Sequence, residues 1–169
     1  MNFVSNVQKR FPDLFSNTNV LEIGSLDING SIRTFFTNCN YIGVDIGPGK
    51  GVDVVCAGQD LTYPDNSFDV VASCECFEHN PYWVDTFNNM IRMSRCLVFF
   101  SCATTGRNEH GTTRTSPSDA PYCGDYYANI TEEDVRSKCD LSAFKEYEFS
   151  VDKNSHDLYF WGLKNEEDT

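Results

Sequence analysis

The stretch VLEIGSLDING, residues 20–30, limits the fold more than any other part of the chain. A β-branched, apolar run that closes on an acid and a glycine is how a buried parallel strand hands over to a loop. Glu22 and Gly24 stand at that handover, and the polar stretch beyond them closes on Gly30. A turn leading into a helix is expected there, with backbone amides open to a ligand. Runs of the same kind recur as YIGVDI (41–46), VDVVCA (52–57), FDVVASC (68–74) and CLVFFSCA (96–103), with helical stretches at GSIRTFFTN (30–38) and from Pro81. Strands alternating with helices predict an α/β domain on a mostly parallel sheet.

The remaining elements follow from local signals. Phe3, Val4 and Val7 predict a short leading helix, broken at Pro12, that covers one sheet edge. Asn80 as cap and Pro81 at the first helical position open a helix whose apolar face is Val84, Phe87 and Ile91. Between Asp45 and Val52 stands only IGPGKG, shorter than the dozen or so residues of a parallel crossover, so no helix joins the second and third strands and the third is short, displaced to the edge or irregular. FKEYEFSV (144–151) and DLYFWGLK (157–164) are close enough for a hairpin, which reverses one strand. Thr131 with Asp134 makes a capping-box start to a short helix. Residues 104–129 form a polar stretch too long for an ordinary connection, as lids and binding loops are. The acidic tail NEEDT (165–169) is expected to fray, and residues 1–169 to make one domain.

Thirteen Lys plus Arg against twenty-five Asp plus Glu give a net charge of −12, which repels nucleic acid and anionic membranes alike. With no leader and no long apolar run, a soluble, cytoplasmic protein is expected. The eight cysteines then read as reduced, mostly buried thiols, with no metal predicted.

Asp45 closes the second strand 21 positions after Gly24, where a carboxylate can take both hydroxyls of a ribose. The turn Gly24-Ser-Leu-Asp-Ile-Asn-Gly30 lacks the G-x-G-x-x-G that a dinucleotide requires, and Glu22 and Asp27 would repel a pyrophosphate. A cationic cofactor suits it better. Asp27 itself is read as a cap for the turn at Gly30.

From Val20 to Phe100 the chain resembles the class I S-adenosylmethionine-dependent methyltransferases, especially the small type-11 enzymes. The resemblance is carried by VLEIGS, YIGVDI, DNSFDVVASCECFEH and the fifth strand, while CATTGRNEHGTTRTSP and DYYANIT look like a bacterial or phage subgroup. It implies a Rossmann-like, doubly wound sheet of order 3-2-1-4-5-7-6 with one antiparallel strand near the C-terminus. It also implies S-adenosylmethionine as cofactor, with Glu22 and Gly24 at its methionine end, Ser25 and Leu26 supplying turn amides, Asp45 on the ribose and Ile46 on the adenine. Cys74 and Glu75 would lie beside the methyl group. Where the family commonly has an acid for the adenine amino group, this chain has Ala57, so Gly58, Gln59 or Asp60 must serve. The loop supplies Arg107, Arg114 and Tyr126 as acceptor-binding candidates, and His110, Glu109 and His79 are the candidate bases. A small molecule, glycan or other polar acceptor is expected, and the alternative is a methyltransferase-like module that binds without turnover.

Overall fold

A computed structural model describes residues 2–165; the end of the acidic tail, 166–169, lies outside the described residues. Seven strands form one sheet: β1 (Asn19–Ile23), β2 (Asn40–Asp45), β3 (Val54–Val55), β4 (Phe68–Cys74), β5 (Ser94–Ala103), β6 (Phe144–Asp152) and β7 (Asp157–Lys164). Their order is β3-β2-β1-β4-β5-β7-β6, with β1 to β5 parallel and β7 antiparallel to both its neighbours. The helices are α1 (Asn2–Arg10), α2 (Trp83–Met93) and α3 (Glu132–Lys138).

Alternation along the strands divides the core into two layers. Leu97 and Phe99 of β5 join Val20 and Val70 in the layer that holds Phe3, Val4 and Val7 of α1. Val98, Phe100 and Cys102 join Leu21 and Val71 in the layer that holds Phe87, Met90 and Met93 of α2 and Val135 of α3. Helix α1 therefore lies on a sheet face and not at an edge, because Phe3 finds the rings of Phe99 and Tyr159 there, at centroid separations of 6.1 and 4.5 Å.

Three local expectations are corrected. Residues 30–38 form only a 3-10 turn at Ile32–Phe35, since this β-branched and aromatic stretch is a poor helix former and the Ser31 hydroxyl already takes the Arg33 amide at 3.2 Å. Helix α2 starts at Trp83, two residues beyond Pro81; Asn80 accepts from the Tyr82 amide (2.8 Å) and donates to Thr86 Oγ1 (2.9 Å), so it holds the turn ahead of the helix. Its buried face is Trp83, Thr86, Phe87, Met90 and Met93, with Val84 and Ile91 at the margin.

Strand β3 has two residues and lies at the sheet edge. The short crossover before it folds flat against β2. The Asp53 amide donates to Gly43 O and the Gly43 amide to Asp53 Oδ2, both at 2.8 Å. A Cβ on Gly43 would stand 2.2 Å from Gly51 O, so only glycine admits this path. The capping box of α3 is formed as expected, with Thr131 Oγ1 accepting from the Asp134 amide at 3.1 Å and Asp134 Oδ2 from the Thr131 amide at 3.0 Å. No helix among the described residues is long and apolar enough to cross a membrane.

Candidate active site

The carboxyl ends of β1, β2 and β4 bring three acids together. Glu22 is buried near the end of β1, and the Tyr41 hydroxyl donates to its Oε2 at 2.7 Å. Asp45 ends β2 and accepts from the amides of Leu26 (3.1 Å) and Gly47 (3.3 Å). Glu75 follows β4 in the left-handed region, φ 53°, a sparsely populated conformation for a residue with a side chain. Its amide donates to Ser101 O (2.9 Å), and the Ser101 hydroxyl donates to its Oε1 (2.7 Å). The turn after β1 passes so close to the turn after β4 that a Cβ on Gly24, itself at φ 82°, would stand 2.6 Å from Cys76 Cβ.

Two adjoining cavities open on this edge, of about 250 and 670 Å³. Gly24, Leu26, Ile28, Glu75, His79 and Asp119 line both. Asp45, Ile46, Ala57, Gly58 and Gln59 line only the smaller, whereas Glu22, Ser25, Cys74, Arg107, Glu109 and His110 line only the larger. The long loop covers both: its first half roofs the larger cavity, and Ala120, Pro121 and Cys123 reach the smaller.

Burial sets the electrostatics. Desolvation raises Glu22 to about 7, partly opposed by the Tyr41 hydrogen bond and by Arg33. Glu75 is also raised, by desolvation and then by Asp157. Desolvation, with His110 next, lowers His79 to about 4, so its imidazole is neutral at neutral pH. Glu109 is lowered by hydrogen bonds from Thr112 and Arg114, which makes it a poor proton acceptor.

Several expected site residues stand elsewhere. The amides of Ser25 and Leu26 do not face a ligand: Ser25 N donates to Val44 O (3.0 Å) and Leu26 N to Asp45, because no helix follows to point them outward. The Leu26 side chain instead packs where Gly49 leaves room; a Cβ there would be 2.3 Å from Leu26 Cδ1. Asp60 is exposed and lines neither cavity, since the 3-10 turn Gly58–Asp60 directs the chain away after Gln59. Arg107 reaches the larger cavity, yet its guanidinium is engaged by Asp157 Oδ1 (2.5 Å) and Ser155 O (2.9 Å), which fastens the loop to the β6–β7 hairpin. Arg114 lines neither cavity and pairs with Glu109 (2.6 Å). Tyr126 also lines neither; Tyr127 is the ring against His79 and His110, at 5.6 and 5.1 Å. Asp27 closes its own turn, accepting from Gly30 N (2.9 Å) and pairing with Lys50 (2.6 Å).

Residues that sequence reasoning missed come from the loop and from the turn after β4. Tyr122, one of the aromatics that the loop's sequence offers, lines neither cavity; it lies over Gly47, where a Cβ would be 1.9 Å from its ring, and its hydroxyl donates to Pro48 O at 3.3 Å. Asp119 enters both cavities. Glu78, adjacent to His79, is fully buried, and neither carboxyl oxygen makes a well-formed hydrogen bond.

Residues 21–96 match the family model described as a methyltransferase domain, of the type-11 group. The strand order is that of the class I methyltransferase fold, and the chain is similar to the small type-11 group over the matched residues. Among solved structures, phosphoethanolamine N-methyltransferase 2 of Haemonchus contortus, in complex with phosphomonomethylethanolamine and S-adenosylhomocysteine, is similar at TM-score 0.68 and 16% identity, over 98% of this chain and 53% of that one. A 1,6-didemethyltoxoflavin-N1-methyltransferase of Burkholderia thailandensis, with bound 1,6-didemethyltoxoflavin and S-adenosylhomocysteine, is similar at TM-score 0.63 and 13% identity, over 98% and 77%. These are likenesses of fold, and the chain spans about half the length of the first. No curated protein matches the sequence.

Proposed function

We propose that this protein transfers the methyl group of S-adenosylmethionine to a small polar acceptor, a small molecule or glycan, held in the larger cavity under residues 107–110. One observation carries the reading: Glu22, Asp45 and Glu75 lie at the ends of three neighbouring parallel strands, spread across two adjoining cavities. A cationic ligand reaching from one cavity to the other meets a carboxyl group at each stage, and it regains the charge that burial suppresses in Glu22.

In this reading Asp45 takes the ribose hydroxyls with the acceptor capacity left beside its two amide bonds, and Ile46, 45% exposed, offers its side chain to the adenine face. Gly58 and Gln59 bound the base beside Ala57. Glu22 and Gly24 hold the methionine end, with Cys74 and Glu75 beside the methyl group. The bound sulfonium supplies an already activated methyl group, so the residues have to align the acceptor and, for a hydroxyl, accept its proton. His110 and His79 face that space, and Glu109 is the weakest of the three candidate bases because its charge is already paired.

A silent binding module is the second reading, favoured by Ala57 and by the engagement of Asp45 with its own turn. Incubating the protein with isotopically labelled S-adenosylmethionine and a panel of hydroxylated and amino compounds and sugars separates the two. Acceptor-dependent formation of S-adenosylhomocysteine supports transfer. Binding of cofactor without turnover across the panel supports the module.

A further inference from the structure

Beside the larger cavity, which His79 and His110 line, Glu78, His79 and His110 offer ligand atoms that all lie within 4.8 Å of one another. Glu78 is 0% exposed, and neither Oε1 nor Oε2 makes a well-formed hydrogen bond, the backbone amides of Glu78 and Ala103 being weak partners at most. His79 is 7% exposed, and its Nδ1 is also buried without a partner. An unsatisfied buried polar atom costs on the order of 1–3 kcal/mol, and a carboxylate more. Three such atoms in two adjacent residues need a common explanation.

We propose that Glu78, His79 and His110 form a binding site for one divalent transition-metal cation. Two imidazoles and a carboxylate suit zinc, manganese or ferrous ions, whereas magnesium and calcium prefer oxygen ligands throughout. The three donors leave coordination positions open, as in catalytic metal sites. His110 is prepared for the role: its Nδ1 lies 3.2 Å from Asn108 O, and donation there leaves Nε2 as the lone-pair nitrogen. The two imidazoles stand at 87° with centroids 4.9 Å apart, and Tyr127 packs against both. Metal bonds of about 2.0–2.2 Å bring ligand atoms to roughly 3–3.5 Å from one another. His110, half-buried on the loop, is the ligand that moves to close the site. The neighbouring guanidinium of Arg107 is directed to Asp157 and Ser155.

His79 and His110 line the larger cavity, so the open positions face the proposed acceptor. That consequence rests on the methyl-transfer reading; the binding of the cation does not. The two imidazoles would then act as ligands, and the cation would polarise an acceptor oxygen.

The test uses the full chain, freed of metal with a chelator. Zinc is titrated by calorimetry, cobalt by absorption, and magnesium serves as the control. One equivalent of zinc and of cobalt is expected, with a cobalt spectrum of nitrogen and oxygen ligands and no thiolate charge-transfer band, and without competition from magnesium. Glu78→Gln, which keeps the side-chain shape, and His110→Ala, on the loop, are each expected to weaken zinc at least tenfold while remaining folded. Failure of the wild-type chain to bind, a thiolate spectrum, or unchanged zinc affinity in both variants would overturn the proposal. Zinc binding without methyl transfer to any acceptor would leave this site standing and count against the methyl-transfer reading alone.

Discussion

Glu22 is an acid whose charge the fold suppresses. Its carboxyl titrates near 7 in the folded chain against about 4.5 unfolded, so its contribution to stability is full below the unfolded value and is lost as pH rises through the folded one. The whole span amounts to about 3 kcal/mol. Urea unfolding at pH 5 and pH 8 should therefore show a smaller difference in Glu22→Gln than in the parent, and an equal difference would mean that Glu22 is not the group responsible. At pH 6 a cationic ligand seated beside Glu22 should release a proton, detectable as a dependence of binding heat on the buffer. Asp45→Ala should weaken cofactor binding by about 1.5–3 kcal/mol, the loss of a charged acceptor. Ala57 lines the smaller cavity beside Gly58, so Ala57→Asp should tighten binding, and a looser complex would place the base elsewhere. At this scale the sequence disclosed residues that strand ends carry. Glu22, Gly24, Asp45 and Glu75 could be placed because a strand's end is a local event. Asp119 could not, because only the folded path of a long loop brings it to the two cavities.

The loop 104–129 behaves as two elements joined in series. Its first half is fastened by Arg107 to Asp157 and roofs the larger cavity; its second half lays Tyr122 on the turn after β2. Arg107→Ala should therefore abolish or greatly slow methyl transfer while leaving cofactor affinity nearly unchanged. A parallel loss of affinity would show that the two halves move as one. Cofactor should protect residues 117–123 from limited proteolysis, and equal cleavage with and without it would separate that half from the cofactor site. Thr131→Ala removes the capping box of α3 and should cost about 1 kcal/mol by thermal or urea unfolding. That cap was readable because it lies within four residues. The stretch 30–38 is expected as a helix from its place between two strands, whereas Ser31 and the aromatic and β-branched residues beside it hold the chain to a single turn.

The whole molecule is a sheet between unequal layers, with a single α-helix among the parallel crossovers. The strands and the reversed β7 follow from patterns along the chain, apolar runs of strand length and a hairpin too short for any other connection, whereas the strand order is what the family resemblance implies. The flat crossover before β3 also depends on glycines. Their tolerance of close approach is visible in the sequence, but the atoms they approach are not. What this architecture presents at one edge is an acid-lined cleft on a chain of net charge −12. The central claim is that the cleft holds a cationic nucleoside cofactor, and calorimetric titration with S-adenosylmethionine, S-adenosylhomocysteine and NAD in parallel tests it most directly. Saturable one-to-one binding of the first two, with no heat from NAD, is the predicted result. Binding of NAD, or of none of the three by a folded protein, would contradict it.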